Sequence, residues 1–451
     1  MGDLDAVFKA YDIRGLAPGQ LDPERCGLIG AAFARFAADT DGATRVLIAR
    51  DMRSTGVELS AAFAEGVLGQ GLDVVDLGLA STDVVYFAAG SLDAPAAMFT
   101  ASHNPAEYNG IKVCLSGAKP VGQDTGLDEI RAMAEEGLVA VGADRRGARS
   151  ELDLLGAYAD HVRSFVDTSA LVPMRIVADT ANGMGGLVVP LVFEGLPFDL
   201  DLLYPELDGT FPNHPADPIN PANQVDLKAR VLATGADVGL AFDGDADRVF
   251  LVDERGEGLS GSTTTAIVAA GILAREPGAT ILYNCICSKA VPEVVRERGG
   301  TPVRTRVGHS FIKTVMAETG AAFGGEHSAH YYFRENFRAD SGAIAALVVL
   351  EQLSLAGIPL SELRRPFERY AASGEINFEV DDPLGLIEVV AEHHPAAEQD
   401  RIDGLTVDHG DWWFNLRPSN TEPLLRLNLE APTPADVDAH VADLTALIKE
   451  R

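Results

Sequence analysis

Three stretches of this chain run from an apolar segment into a polar turn and then into a helical pattern. They are TRVLIARDMRSTG (44–56), MRIVADTANGMGG (174–186) and ATILYNCICSKAV (279–291). Short apolar runs bounded by turns suit strands buried on both faces. Such strands pair in parallel when a helix follows each one. The recurrence at roughly 100 to 130 residues is too long for a solenoid and implies separate, related domains. At 451 residues the chain is also too long for a single core.

The last eighty or so residues follow another pattern. In PLLRLNLE, Leu425, Leu427 and Leu429 alternate with Arg426, Asn428 and Glu430, which predicts a strand with one wet face. DWWFNL predicts a second strand, leaving RPSNTEP as the loop between them. The expected fold class is therefore α/β: three related α/β domains with mostly parallel mixed sheets, plus a smaller C-terminal α+β domain. The polar stretches VGADRRGARSEL and YAASGEINFEVDD read as junctions. The expected domains are residues 1–150, 151–253, 254–368 and 369–451.

A formal net charge of −31 argues against a nucleic-acid partner, since phosphate backbones need clustered Lys and Arg. An anionic ligand would need local, specific cations instead. No apolar run reaches the ~18 to 20 residues of a membrane span, and MGDLDAVFKAYD has no signal-peptide core. Four cysteines in so long a chain make no disulfide framework. Cys285 and Cys287, two apart in a strand-like run, read as core. The expectation is a cytoplasmic, reduced protein.

GLAFDGDADRVFLVD (239–253) is the most informative segment. An apolar strand ends at Phe242, and Asp243, Asp245 and Asp247 follow at alternate positions. Carboxylates this close repel unless a cation neutralises them. A calcium EF-hand loop would need Gly where Arg248 stands and a helix where VFLVD continues as strand, so Mg²⁺ fits better. Mg²⁺ usually works with phosphate oxygens, and an arginine beside the acids suits a phosphate.

RPSNTEP offers a second anion site through the Arg417 fork, the Ser419 and Thr421 hydroxyls and the Asn420 amide; taken alone, it reads more readily as an ordinary Ser-Asn turn, and the presence of the metal site reverses that. GGEHSAH sets Glu326, Ser328 and His330 at alternate positions, which would point one way if extended. VGHSFIK holds His309 and Lys313, and YDIRG holds Arg14. TASHNP (100–105) sets Ser102 beside His103. Adjacent side chains of an extended segment point apart, and no G-x-S-x-G elbow is present, so a hydrolase triad is disfavoured. Asn104-Pro105 favours a turn, and Asn109-Gly110 a second one before the strand IKVCL. Ser102 is then expected exposed on a loop, near Lys112. A serine, a Mg²⁺ site and a phosphate clamp together fit a phosphoryl carrier.

TASHNP, DGDADR, GEHSAH and RPSNTEP, with YDIRG near the start, occur here in the order found in the α-D-phosphohexomutases. The sequence resembles that family over essentially its whole length, closest to its bacterial phosphomannomutase/phosphoglucomutase branch. The resemblance implies domains around a central active-site cleft and a reversible conversion of hexose 6-phosphate into hexose 1-phosphate, on mannose and glucose, through a 1,6-bisphosphate. It implies Ser102 as the phosphoserine, with Asp243, Asp245, Asp247 and a phosphoserine oxygen holding Mg²⁺. Arg248 would steady the transferring phosphate, while Arg14, His103 and Lys112 line the serine loop. Glu326 and Ser328 would grip sugar hydroxyls, with His309 and His330 the nearest imidazoles. Arg417, Ser419, Asn420 and Thr421 would clamp the unreactive phosphate. The general base stays open between Lys112 and a histidine.

Two departures bear on the sugar. His327 stands where close relatives often have Met and the glucosamine-phosphate branch has Gln, and Ala329 replaces a Gly. This favours neutral hexoses, mannose above all, over the alternative of a phosphoglucosamine mutase. A Mg²⁺-dependent sugar phosphatase stays a separate alternative, since it would use the same acids but release phosphate without needing a bisphosphate. Lys289 lies near Ile286, where some relatives carry a lysine. The expected partner is a small phosphosugar, and the expected state a monomer or homodimer.

Overall fold

A computed structural model of the chain describes residues 4–142, 145–418 and 424–449, with only the backbone of His309. By compactness these residues form two units. The first takes the described residues within 1–260 and 328–363, the second those within 261–327 and 364–451.

The first unit contains two mixed sheets. In one, strand Arg45–Arg50 runs parallel to both Asp73–Leu79 and Ala96–Phe99. Tyr108–Leu115 joins Ala96–Phe99 antiparallel, and Ile13–Leu16 joins Tyr108–Leu115 the same way. The polar stretch read as a junction contributes strand Arg149–Glu151, parallel to Asp73–Leu79. Asn109 and Gly110 lie within strand Tyr108–Leu115 rather than in a turn, since both pair with Ile13–Leu16.

Helix Pro23–Asp41 shows why the sequence starts and stops its elements where it does. The Asp22 side chain accepts from Arg25 N, and Pro23 opens the helix where no donor is needed. Gly42 closes it in the left-handed conformation. Its Ile29 and Phe33 are buried in one core with Phe63, Phe99 and Ile111. Phe63 meets Phe99 edge-on at 5.4 Å, and full burial of such a side chain is worth about 1.5–3 kcal/mol.

The second sheet pairs Met174–Asp179 in parallel with Phe198–Leu203 and with Val238–Phe242. Val249–Asp253 then returns antiparallel beside Val238–Phe242. This hairpin is what presents residues 243–248 at a strand end.

The second unit has three parallel strands, Thr301–Thr305, Thr280–Asn284 and Phe323–Gly325. Its C-terminal sheet is antiparallel, in the order Ala371–Glu379, Leu424–Ala431, Trp413–Pro418, Leu405–Asp408, Glu398–Asp400. Leu425, Leu427 and Leu429 are buried as the alternation predicts, but Asn428 and Glu430 are buried too. Glu430 accepts from Trp413 Nε1 at 2.9 Å and Lys289 N at 3.0 Å, so at Asn428 and Glu430 the second face is polar without being wet, while Arg426 stays partly exposed. Cys285 and Cys287 are buried, but in the turn after strand Thr280–Asn284.

The three look-alike stretches each become a strand and a following helix: 45–50 with 56–69, 174–179 with 185–193, and 280–284 with 290–297. The fold is α/β in three domains with a C-terminal α+β domain. Among the described residues no single helix is long and apolar enough to cross a membrane.

Asp83, at the start of helix Thr82–Ser91, ties the first unit together. Its buried carboxylate accepts from the hydroxyls of Ser81, Tyr158 and Ser341. Burial raises its carboxyl to about 6, against the lowering effect of those hydroxyls. The folded state therefore binds a proton more readily than the unfolded one, and this group's contribution to stability falls as pH rises from about 4 through 6. Asp83→Asn removes that titration. Urea unfolding across pH should show the wild-type advantage over the variant shrinking by up to about 3 kcal/mol over this window.

Candidate active site

The connection between strands Val238–Phe242 and Val249–Asp253 is six residues, Asp243 to Arg248. It folds so tightly that Gly244 leaves no space for a Cβ, which would lie 2.4 Å from the Ser102 carbonyl oxygen. Gly244 thus lets the acid loop lie directly on the serine loop. Ser102 adopts a left-handed backbone, φ +49°, and donates from Oγ to Asp243 Oδ2 at 2.9 Å. Arg248 reaches the same carboxylate oxygen from Nε at 2.9 Å and lies 3.5 Å from Ser102 Oγ through its terminal nitrogen. Ser102 is only 4% exposed, not exposed as expected, because these two loops close on it.

Asp243, Asp245 and Asp247 are all buried, with one oxygen of each within 4.8 Å of the others. Lys112 Nζ donates to Asp245 Oδ2 at 2.7 Å and Asp247 Oδ2 at 2.8 Å. Burial and the neighbouring Asp247 and Asp245 carboxylates push the Asp243 carboxyl well up, although Arg248 opposes them. At Asp245 burial acts upward too, yet the Lys112 ammonium and the Thr82 hydroxyl hold it low. Asp245 Oδ1 and Asp247 Oδ1 are buried with no hydrogen-bond partner among the described residues. Closely spaced hard oxygens, two of them unsatisfied, suit a divalent cation such as Mg²⁺.

Around this centre, His103 Nδ1 accepts from Arg248 at 2.6 Å, and burial with the Arg248 and Arg14 charges keeps its imidazole neutral. Arg14 donates to Asn104 Oδ1 at 2.5 Å and pairs with Asp12. His330 Nε2 lies 3.9 Å from both Asp247 Oδ1 and Asp340 Oδ2, and its Nδ1 is 3.1 Å from Ser328 Oγ. The structure thus brings together Arg14, Ser102, His103, Lys112, the three aspartates, Arg248, Ser328 and His330 within the first unit.

Residues 326–330 do not form the extended row expected. They turn, with Ala329 left-handed at φ +65°. Glu326 belongs to the second unit, where it accepts from Gly308 N at 3.0 Å and Asn284 Nδ2 at 3.2 Å. In that unit His327 Nδ1 is 3.1 Å from Ser262 Oγ, and burial keeps it neutral, with Glu375 and Arg417 acting in opposite senses. Arg417 is buried and pairs with Glu375 at 3.0 Å. Lys289 is held by Asp408 at 3.1 Å and by the Gly410 carbonyl at 2.7 Å. Ser419, Asn420, Thr421 and the His309 side chain lie outside the described residues.

Four family models, described as phosphoglucomutase/phosphomannomutase alpha/beta/alpha domains I, II and III and C-terminal domain, match residues 5–141, 156–257, 260–370 and 375–447. A relative from Xanthomonas campestris pv. campestris, named phosphohexose mutases, is 40% identical over 94% of each chain. The chain belongs to the phosphoglucomutase/phosphomannomutase family. The Escherichia coli K12 phosphomannomutase is 38% identical over 94% of each chain. The crystal structure of a Burkholderia thailandensis phosphoglucomutase/phosphomannomutase family protein superposes with a TM-score of 0.90 at 31% identity, covering 100% of this chain and 98% of that one.

In this family member, sequence reasoning missed groups that act through others. Thr82 is fully buried and grips Asp245 twice, from N to the carbonyl at 3.1 Å and from Oγ1 to Oδ2 at 2.6 Å. Asp340 stands behind His330, and Arg53 lies beneath the serine loop. Thr82 gave no sequence signal, being an ordinary helix-start residue far from the acids in the chain. Arg53 had one, because RDMRSTG follows the first look-alike strand, where strand ends collect ligands.

Thr82→Val keeps the shape and loses the hydroxyl that orients Asp245. Calorimetric Mn²⁺ titration should show affinity about 10- to 100-fold weaker, with an unchanged melting temperature in chelator.

Proposed function

We propose that this hexose-phosphate mutase works through phospho-Ser102, moving the phosphoryl group between the serine and either end of a hexose phosphate by way of a 1,6-bisphosphate. The observation that carries the reading is the placement of Ser102 Oγ, 2.9 Å from Asp243 and 3.5 Å from Arg248. A hydrolytic serine would face an accepting imidazole. Here the neighbouring His103 is occupied by Arg248 instead, although its Nδ1 lies 3.3 Å from Oγ.

Asp243, Asp245 and Asp247 would hold Mg²⁺, which when bound supplies charge neutralisation for the phosphoryl oxygens. The chain's own groups do the rest. Arg248 offers its fork to the transferring group, and Lys112 adds a fixed positive charge against two of the acids. Phosphoryl transfer asks mainly for such positioning and neutralisation. With Lys112 donating to two carboxylates, His330 is the better-placed base for the sugar hydroxyl. Glu326 and Ser328 would bind sugar hydroxyls. Arg417, with Ser419, Asn420 and Thr421, would hold the phosphate that is not reacting.

Mannose and glucose are the expected sugars. The Escherichia coli relative is a phosphomannomutase, and His327, a neutral imidazole held by Ser262, favours an uncharged hexose.

Ser102→Ala should abolish labelling by ³²P-glucose 1,6-bisphosphate and lower mutase turnover by about 1,000-fold or more. Intact turnover in that variant would sink the carrier role. Initial rates on mannose, glucose and glucosamine 1-phosphates, each with Mg²⁺ and bisphosphate, should favour the first two. A glucosamine preference would overturn the role given to His327 and leave the carrier chemistry standing.

A further inference from the structure

The serine loop is closed around a buried cation. Arg53 is 1% exposed, and each of its five guanidinium N–H groups has an acceptor. One terminal nitrogen donates to the carbonyls of Ser102 at 2.9 Å and Asn104 at 2.7 Å. The other donates to the carbonyls of Pro105 at 2.7 Å and Tyr108 at 2.9 Å. Nε takes Asp51 Oδ2 at 3.2 Å, and Asp51 Oδ1 accepts from the Arg53 backbone at 2.9 Å.

A loop from the neighbouring sheet completes the enclosure. The Phe211 ring centre lies 5.1 Å from the guanidinium carbon, within cation–π range. Gly209 packs so closely that a Cβ there would stand 2.7 Å from the Arg53 Cα.

We propose that Arg53 is the positioning residue of phosphoryl transfer: by drawing four carbonyls of residues 102–108 onto one guanidinium, it sets the left-handed turn that aims Ser102 Oγ at Asp243 and Arg248. A non-glycine residue at φ +49° is disfavoured and persists only where its surroundings over-determine it. Four charge-assisted bonds to one loop provide that over-determination. Lysine cannot replace the arginine, since three donors from one point cannot serve carbonyls spread around a planar fork. The proposal rests on Ser102 as the phosphoryl carrier.

Arg53→Lys tests it. Labelling of Ser102 by ³²P-glucose 1,6-bisphosphate should slow by about 100-fold, the scale of a displaced reacting atom. Calorimetric Mn²⁺ affinity should stay within about twofold, because the acid loop is held separately. Amide hydrogen exchange across residues 102–108 should rise by about tenfold, with strand Val238–Phe242 unchanged. Unchanged exchange at 102–108 would overturn the proposal. So would a loss of Mn²⁺ binding and of protection everywhere, which would mark a merely structural role. If Arg53→Lys does not fold, Phe211→Ala, which leaves the five hydrogen bonds in place, should give the same split at about three- to tenfold. A variant indistinguishable from wild type would then count against it. The exchange measurement also separates the two readings. Unlabelled wild-type enzyme overturns the phosphoserine assignment, whereas exchange alone decides whether Arg53 shapes the loop.

Discussion

Three buried carboxylates on one six-residue connection are the constraint on which the first unit depends. Asp243, Asp245 and Asp247 cannot all stay charged in a dry interior without compensation, and the chain supplies Lys112 and Arg248 within hydrogen-bond reach. Even so, Asp243 is pushed towards its protonated form, and Asp245 Oδ1 and Asp247 Oδ1 keep no hydrogen-bond partner among the described residues. A divalent cation would satisfy those oxygens and let Asp243 ionise. Much of the surrounding architecture keeps this cluster in place. Gly244 lets the acid loop touch the serine loop, Thr82 fixes Asp245, and the Asp83 node gathers Tyr158 and Ser341 nearby.

The elements that were legible in the sequence are those specified by local pattern. The strand–turn–helix recurrence could be read because a strand buried on both faces needs an unbroken apolar run and ends at a turn. The acid triplet could be read because no ordinary loop clusters three aspartates at alternate positions. The two C-terminal strands were visible in the alternation of Leu425, Leu427 and Leu429. The resemblance to phosphohexomutases then supplied roles that periodicity cannot.

What was not legible depends on contacts between distant segments. Thr82 and Asp245 are 163 residues apart, and Arg53 and Ser102 are 49 apart. Neither pairing leaves a mark on local composition. The burial of Ser102 was misread for the same reason: a Ser-His-Asn-Pro turn looks exposed until the acid loop covers it. The expected row of Glu326, Ser328 and His330 failed for a local reason. Ala329 takes a left-handed turn that alternation cannot reveal.

The overall acidity and the anionic substrate are reconciled at the level of single side chains. A net charge of −31 would repel a sugar phosphate at long range, yet screening limits that field to about 8–10 Å at physiological ionic strength. In each unit the chain carries arginines already tethered to acids: Arg14 to Asp12 and Arg248 to Asp243 in the first, Arg417 to Glu375 in the second. A tethered guanidinium gives up part of its fork but loses little further rotamer freedom when a phosphate arrives. Pairing therefore weakens each cation's pull while fixing its direction. For phosphoryl transfer, which asks mainly for positioning and charge neutralisation, fixed direction matters more than strength.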